Sequence, residues 1–172
     1  MKSKILILLV VLTGANFTYS QAKASRYIGY RYTFDISSKA LPNGVKIVGT
    51  WDIGDPDSSP AYGIATVEKG KTTMLWLTVT AEDSTGLTGW NVLDVLSFPV
   101  TTHKRDVIFF YPGGSASGCT RSGKVIPNVA GVGRIVGKQA VFRPSKVWVP
   151  DLATKKFKSI PFSGIKCEYS KP

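Results

Sequence analysis

The chain has 172 residues, 43% hydrophobic and 11% aromatic, with 22 Lys and Arg against 11 Asp and Glu, for a net charge of +11. One histidine and two cysteines cannot furnish a tetrahedral zinc set, and the length suits one ordinary domain with no second one needed. Such an excess of bases points towards an anionic partner.

The first residues read as an export signal. Lys2 and Lys4 precede an unbroken apolar run from Ile5 to Leu12, and Ala22 and Ala24 place small residues at minus three and minus one of a cut before Ser25. Eight apolar residues fall well short of the roughly 20 needed to cross a bilayer as a helix. A cut after Ser20 is also acceptable, and no cysteine marks the region for lipid attachment. The expected organisation is a signal peptide over 1–24 and a single β-rich domain over 25–172, exported to the periplasm or beyond the cell. Within that domain the charge is lopsided: residues 25–100 hold six bases and eight acids, residues 101–172 thirteen bases and three acids.

Periodicity predicts strands almost throughout. Ile28, Tyr30, Tyr32, Phe34 and Ile36 alternate with smaller or polar residues, as do Val45, Ile47, Gly49, Trp51 and Ile53, so each set should line one face of a strand. Asn43 and Gly44 supply the turn between them. Residues 61–68 and 71–80 predict a hairpin, because Glu68, Lys69, Gly70 and Lys71 interrupt two β-prone stretches. The stretch from Trp90 to Leu96 fits either a short helix or a strand; the alternation of Trp90, Val92, Asp94, Leu96 and Phe98, closed by Pro99, favours the strand. Further strands are expected at Val107–Tyr111, Ile135–Phe142, Lys146–Val149, Lys156–Ile160 and Ile165–Tyr169. Eight to ten short strands with Gly and Pro at the junctions indicate an all-β, antiparallel sandwich or small barrel. Cys119 and Cys167, in an exported chain, should form one disulfide that anchors the loop before Cys119 to the last strand.

Motifs for specific chemistry are weak. Ser115 and Ser117 sit among glycines, but without the spacing of a nucleophile turn. His103 stands in a polar stretch, and a thiol nucleophile should not be tied up in a bridge. Gly131, Gly133 and Gly137 before Lys138 match no nucleotide loop, since Gln139 stands where a magnesium-binding hydroxyl would be needed; they read as sites of close backbone approach or bulges in a strand. Asp52, Asp55 and Asp57 lack the terminal Glu and mid-loop Gly of a calcium loop and read as a solvated turn. No cofactor or metal is expected. Bases alternate with aromatics around Arg26, Tyr27, Tyr30, Arg31 and Tyr32 and again at Lys156, Phe157 and Lys158, a pattern suited to nucleic acid or sugar rings but also to a strand with aromatics inward and cations outward.

The stretch Met74–Leu77, then Trp90, Val92, Leu93, Asp94, Val95, Leu96 and Pro99, Cys119, and finally Trp148, Thr154, Lys156, Phe157, Ile160, Gly164 and Cys167, resembles a group of small uncharacterised exported bacterial proteins, many of them cyanobacterial. The resemblance spans roughly residues 74–167 and is carried mostly by structural residue types; the basic stretch Val125–Arg143 departs from it. It implies export and pairing of the two cysteines, and no activity.

The function expected is therefore a noncatalytic exported module that binds an anionic polymer, an envelope surface or a protein partner through its C-terminal half. Arg134, Lys138, Arg143, Lys146, Lys155, Lys156, Lys158 and Lys166 are the candidate contacts. The alternatives are a structural or protein-interaction component of the envelope whose charge is incidental, and a hydrolase in which acids such as Glu82 and Asp94 meet in a folded cleft.

Overall fold

A computed structural model describes residues 24–33, 41–54, 58–82, 84, 86–99, 106–112, 118–135 and 141–168. The expected signal peptide up to residue 23, Phe34 and Ile36, Asp55 and Asp57, His103, Ser115 and Ser117, Gly137, Lys138 and Gln139, and Tyr169 lie outside these residues. The described chain is all-β and antiparallel, with one disulfide, as the periodicity implies. It has twelve strands rather than eight to ten.

A short 3-10 helix, Ser25–Tyr27, leads into β1 (Arg31–Tyr32), β2 (Val45–Ile53), β3 (Tyr62–Lys69), β4 (Thr72–Glu82) and β5 (Thr88–Pro99). These form a five-stranded sheet in the order β1-β5-β4-β3-β2. The expected hairpin is β3 and β4, and the ambiguous stretch at Trp90 is strand β5. The second sheet holds β6 (Asp106–Tyr111), β7 (Cys119–Arg121), β8 (Lys124–Ile126), β9 (Val129–Arg134), β10 (Val141–Asp151), β11 (Lys156–Ile160) and β12 (Ile165–Glu168). Its order is β6-β9-β10-β12-β7-β8, with β11 beside the C-terminal half of β10. Among the described residues no helix is long and apolar enough to cross a membrane.

Apolar side chains fill three clusters. Between the sheets, Ile53, Ile64, Leu75, Leu77, Leu96 and Phe98 meet Ala130 and Trp148, with Phe110 and Phe157 packed alongside. The rings of Phe98 and Trp148 lie edge to face at 5.6 Å, and Trp51 meets Phe110 at 5.3 Å. On the outer face of the first sheet, Trp76 is fully buried beneath Tyr27, Tyr30 and Tyr32, at ring distances of 5.2, 6.2 and 5.8 Å. Central strands β3, β4 and β5 are thus covered on both faces, each buried side chain of Leu or Ile size contributing about 1.5–3 kcal/mol. The third cluster, Phe109, Val129, Phe142, Val147, Ile165 and the two cysteines, lies on the far face of the curved second sheet.

Four sequence expectations are corrected. The run Ile28–Ile36 is not one strand: the chain turns after Tyr27, with Gly29 at φ +82° and Tyr30 N–H donating to Tyr27 O, so Tyr27 is buried and Ile28 is exposed. Strand β2 does not keep its apolar set on one face. An extra residue at Val48 breaks the register between Ile47 and Gly49, so Val45 and Ile47 enter the outer cluster while Ile53 enters the inter-sheet one. A second bulge at Leu93 interrupts the alternation in β5, putting Val92 and Val95 on one face and Leu96 and Phe98 on the other. Finally, of the expected strand Ile135–Phe142, Ile135 lies beyond the end of β9 at Arg134, residues 136–140 lie outside the described residues, and Val141 and Phe142 open β10. Gly131 and Gly133 sit inside β9 and leave room for the Phe109 and Phe142 rings; a Cβ on Gly131 would come within 2.5 Å of both the Phe109 ring and the Lys146 carbonyl.

Candidate functional site

The disulfide is the anchor of the C-terminal half. Cys119 and Cys167 stand directly opposite each other in the β7–β12 ladder, 4.0 Å apart at Cα, and both are fully buried. β12 in turn pairs β10 through Val141 with Glu168 and Phe142 with Cys167. The bond therefore fixes the edge hairpin β7–β8 and the last strand to each other beside β10.

The candidate cations divide into two groups. Arg134, Arg143, Lys146 and Lys166 lie on three adjacent strands, β9, β10 and β12, and all are exposed. Arg134 pairs Arg143 and Val132 pairs Lys146 across the β9–β10 ladder. Lys166 lies between Ile165 and Cys167, which both enter the third cluster, so it projects from the opposite face. That face is also the one on which Ala130 and Trp148 reach the first sheet, further along the strands. A bulge at Ser145 makes the arrangement: strict alternation would put Arg143 and Lys146, three residues apart, on opposite faces, and the extra residue returns them to the same one. Ser145 Oγ donates to Val132 O at 3.1 Å and holds the bulge. Two acids border the group, Glu168 at the outer end of β12 and Asp106 at the register position opposite Arg134. Arg134 and Arg143 are like charges at directly opposed register positions, an arrangement that is destabilising on its own.

Lys155, Lys156 and Lys158 form the second group, at the β10–β11 hairpin. Lys155 takes φ +56° in the turn, and Lys156 and Lys158 pair Asp151 and Val149 on the face opposite the first group. Asp151 sits among them. Its carboxylate accepts from the backbone N–H of Thr154 at 3.2 Å and of Ala153 at 3.1 Å; these bonds, with the nearby Lys158 charge, hold its carboxyl below the ordinary range. The hairpin cations thus carry their own counter-charge. Lys138 lies outside the described residues.

Next to the first group is a cleft of about 380 Å³, lined by Arg143, Pro144, Phe162, Ser163, Gly164, Ile165 and Lys166. Its lip is a tight turn: Ile165 N–H donates to Phe162 O at 3.1 Å and Gly164 takes φ +75°, a value suited to glycine. The Arg121 guanidinium donates to the Pro161 carbonyl and fixes the chain entering the turn. Phe162 is 53% exposed in this cleft. Sequence reasoning passed over Phe162; its only signal is an aromatic outside any alternating run, between Pro161 and a Ser-Gly turn.

The aromatics interleaved with bases serve the core. Tyr27 and Tyr32 are buried on Trp76, and Phe157 packs between the sheets. Burial pushes the Tyr32 phenol up to about 12, against a hydrogen bond with Thr78 that works the other way. Arg26 rides over the Tyr27 ring at 4.9 Å. The acids proposed as a hydrolytic pair do not meet. Asp94 pairs Leu77 whereas Glu82 pairs Thr88 at the far end of the same ladder, five residues or roughly 17 Å of strand away. Asp94 instead accepts the Phe157 N–H at 2.7 Å, tying β11 to β5 across the two sheets. Glu82 lines a separate cleft with Ser59, Pro60, Thr80 and Thr88. Among the described residues no group of three or more His, Cys, Asp or Glu is placed to hold a metal ion. No family model, curated protein or solved structure matches the chain.

Proposed function

We propose that the chain is an exported, noncatalytic β domain that binds a polyanionic surface or polymer through the face carrying Arg134, Arg143, Lys146 and Lys166. The observation that carries this reading is the gathering of cations from three adjacent strands on one face, to which the Ser145 bulge adds Lys146, a residue that a regular ladder would have put on the other face from Arg143. Binding of this kind is driven by displaced counterions and weakens steeply with salt. With four cationic contacts, log affinity should fall against log salt with a slope of about −3. The test is retention on heparin of the mature protein and of a control protein matched in size and net charge. The expected result is elution at higher salt than the control, with R143E/K166E eluting well before K155E/K158E. Retention no greater than the control overturns the reading.

The exposed side chains of Val125, Val141 and Phe162 support a second reading, an envelope component that meets a protein through apolar surface. That reading predicts a crosslinked partner in the native host whose retention is insensitive to salt.

A further inference from the structure

We propose that the polymer is an acidic polysaccharide, and that the cleft beside β12 takes one of its charged sugar units. This rests on the reading above and narrows it. A phosphate chain offers only charge, and for it the exposed cations would suffice. The cleft adds an apolar surface. Phe162, 53% exposed, lines a recess of about 380 Å³ together with buried Pro144 and Ile165 and with the exposed cations Arg143 and Lys166. Recesses of this size with an apolar floor and a few placed polar groups are the usual form of small-molecule subsites. A sugar ring has the matching character: its C–H face packs on an aromatic ring while its carboxylate or sulfate meets the flanking cations. Arginine is suited to a planar carboxylate, which its guanidinium can grip with two N–H groups.

The site is also built in advance. The bond from Ile165 N–H to Phe162 O closes the turn, and Arg121 holds Pro161 from the neighbouring strand. The disulfide pins β12 to β7 at the next residue but one after Ile165. A ligand therefore meets a formed recess and need not order a loose loop, which preserves affinity. Concavity separates this from a membrane contact, because an aromatic that enters a bilayer must protrude beyond its neighbours.

The experiment compares polygalacturonate, polyphosphate and phosphatidylglycerol vesicles as probes for the full mature protein, Phe162→Ala, Phe162→Tyr and R143A/K166A. Phe162→Ala should weaken polygalacturonate binding about tenfold, the scale of losing one stacked ring. It should leave polyphosphate binding and the salt slope unchanged, and Phe162→Tyr should restore the uronate affinity. R143A/K166A should weaken both polymers. Thermal melts should coincide for the wild type and both Phe162 variants, since the ring is not part of the core. If Phe162→Ala binds polygalacturonate as the wild type does, the sugar subsite is wrong while the basic face stands. Phe162-dependent binding to vesicles, without polygalacturonate binding, would replace the sugar with lipid. If the wild type binds neither polymer, the underlying reading falls and the subsite with it.

Discussion

Replacing both cysteines by alanine should cost the protein about 4 kcal/mol, and the loss should begin at one edge of the second sheet. The bridge closes a loop over a sequence separation of 48 residues. In the chain-entropy model, freeing a loop of that length gives the unfolded chain about 4 kcal/mol, and measured losses for small secreted domains run at about 2–5 kcal/mol. Both sulfurs are fully buried, so their removal also leaves a small cavity, and alanine avoids placing a hydroxyl there. At a urea dependence of about 2 kcal/mol per molar, the unfolding midpoint should fall by about 2 M. The structure fixes where protection is lost first. β7 holds β12 through three register positions and β12 holds β10 through two, so the β7–β8 hairpin is attached mainly through the bonded strand. Amide exchange should accelerate at 119–126 and 165–168 well before β3 and β4 respond. A midpoint shift below about 0.5 M, or uniform acceleration of exchange, refutes the reasoning. Uptake of two alkyl groups by denatured, unreduced wild type would do so more directly.

Gly131→Ala should destabilise by about 1–3 kcal/mol or more, because its Cβ would lie 2.5 Å from the Lys146 carbonyl, which belongs to the paired backbone and cannot swing aside. Denaturant titration checks this, and a change under about 0.5 kcal/mol would show that β9 is not packed as described. The Tyr32 phenol, raised to about 12 in the fold, stays protonated while the unfolded chain ionises near 10. Its contribution is therefore intact below about pH 10 and is lost as pH rises towards 12, by about 2–3 kcal/mol over that span. Stability measured from pH 9 to 11.5 should fall more steeply for the wild type than for Tyr32→Phe, even though that variant starts lower for want of the Thr78 bond; parallel declines would remove burial of the phenol as the cause.

The sequence by itself determined the β class, the β3–β4 hairpin, the positions of β6, β11 and β12, and the cysteine pairing. For the strands the signal is local, an alternating apolar run or a glycine turn; for the cysteines, 48 residues apart, it is that neither has another cysteine to pair with. It also identified seven described cations of the candidate surface without being able to sort them. Tertiary structure alone sorted them. Side chains alternate with a period of two, so a single extra residue at Val48, Leu93 or Ser145 reverses every assignment beyond it, and the extra residue is extra only relative to the partner strand. Likewise Gly131 and Gly133 make a poor strand on local propensity; β9 holds because Phe109 and Phe142 cover the glycines from neighbouring strands. The face that brings Arg143 to Lys166, and the recess that Phe162 lines with them, depend on register between segments more than twenty residues apart, information that no window of the chain contains.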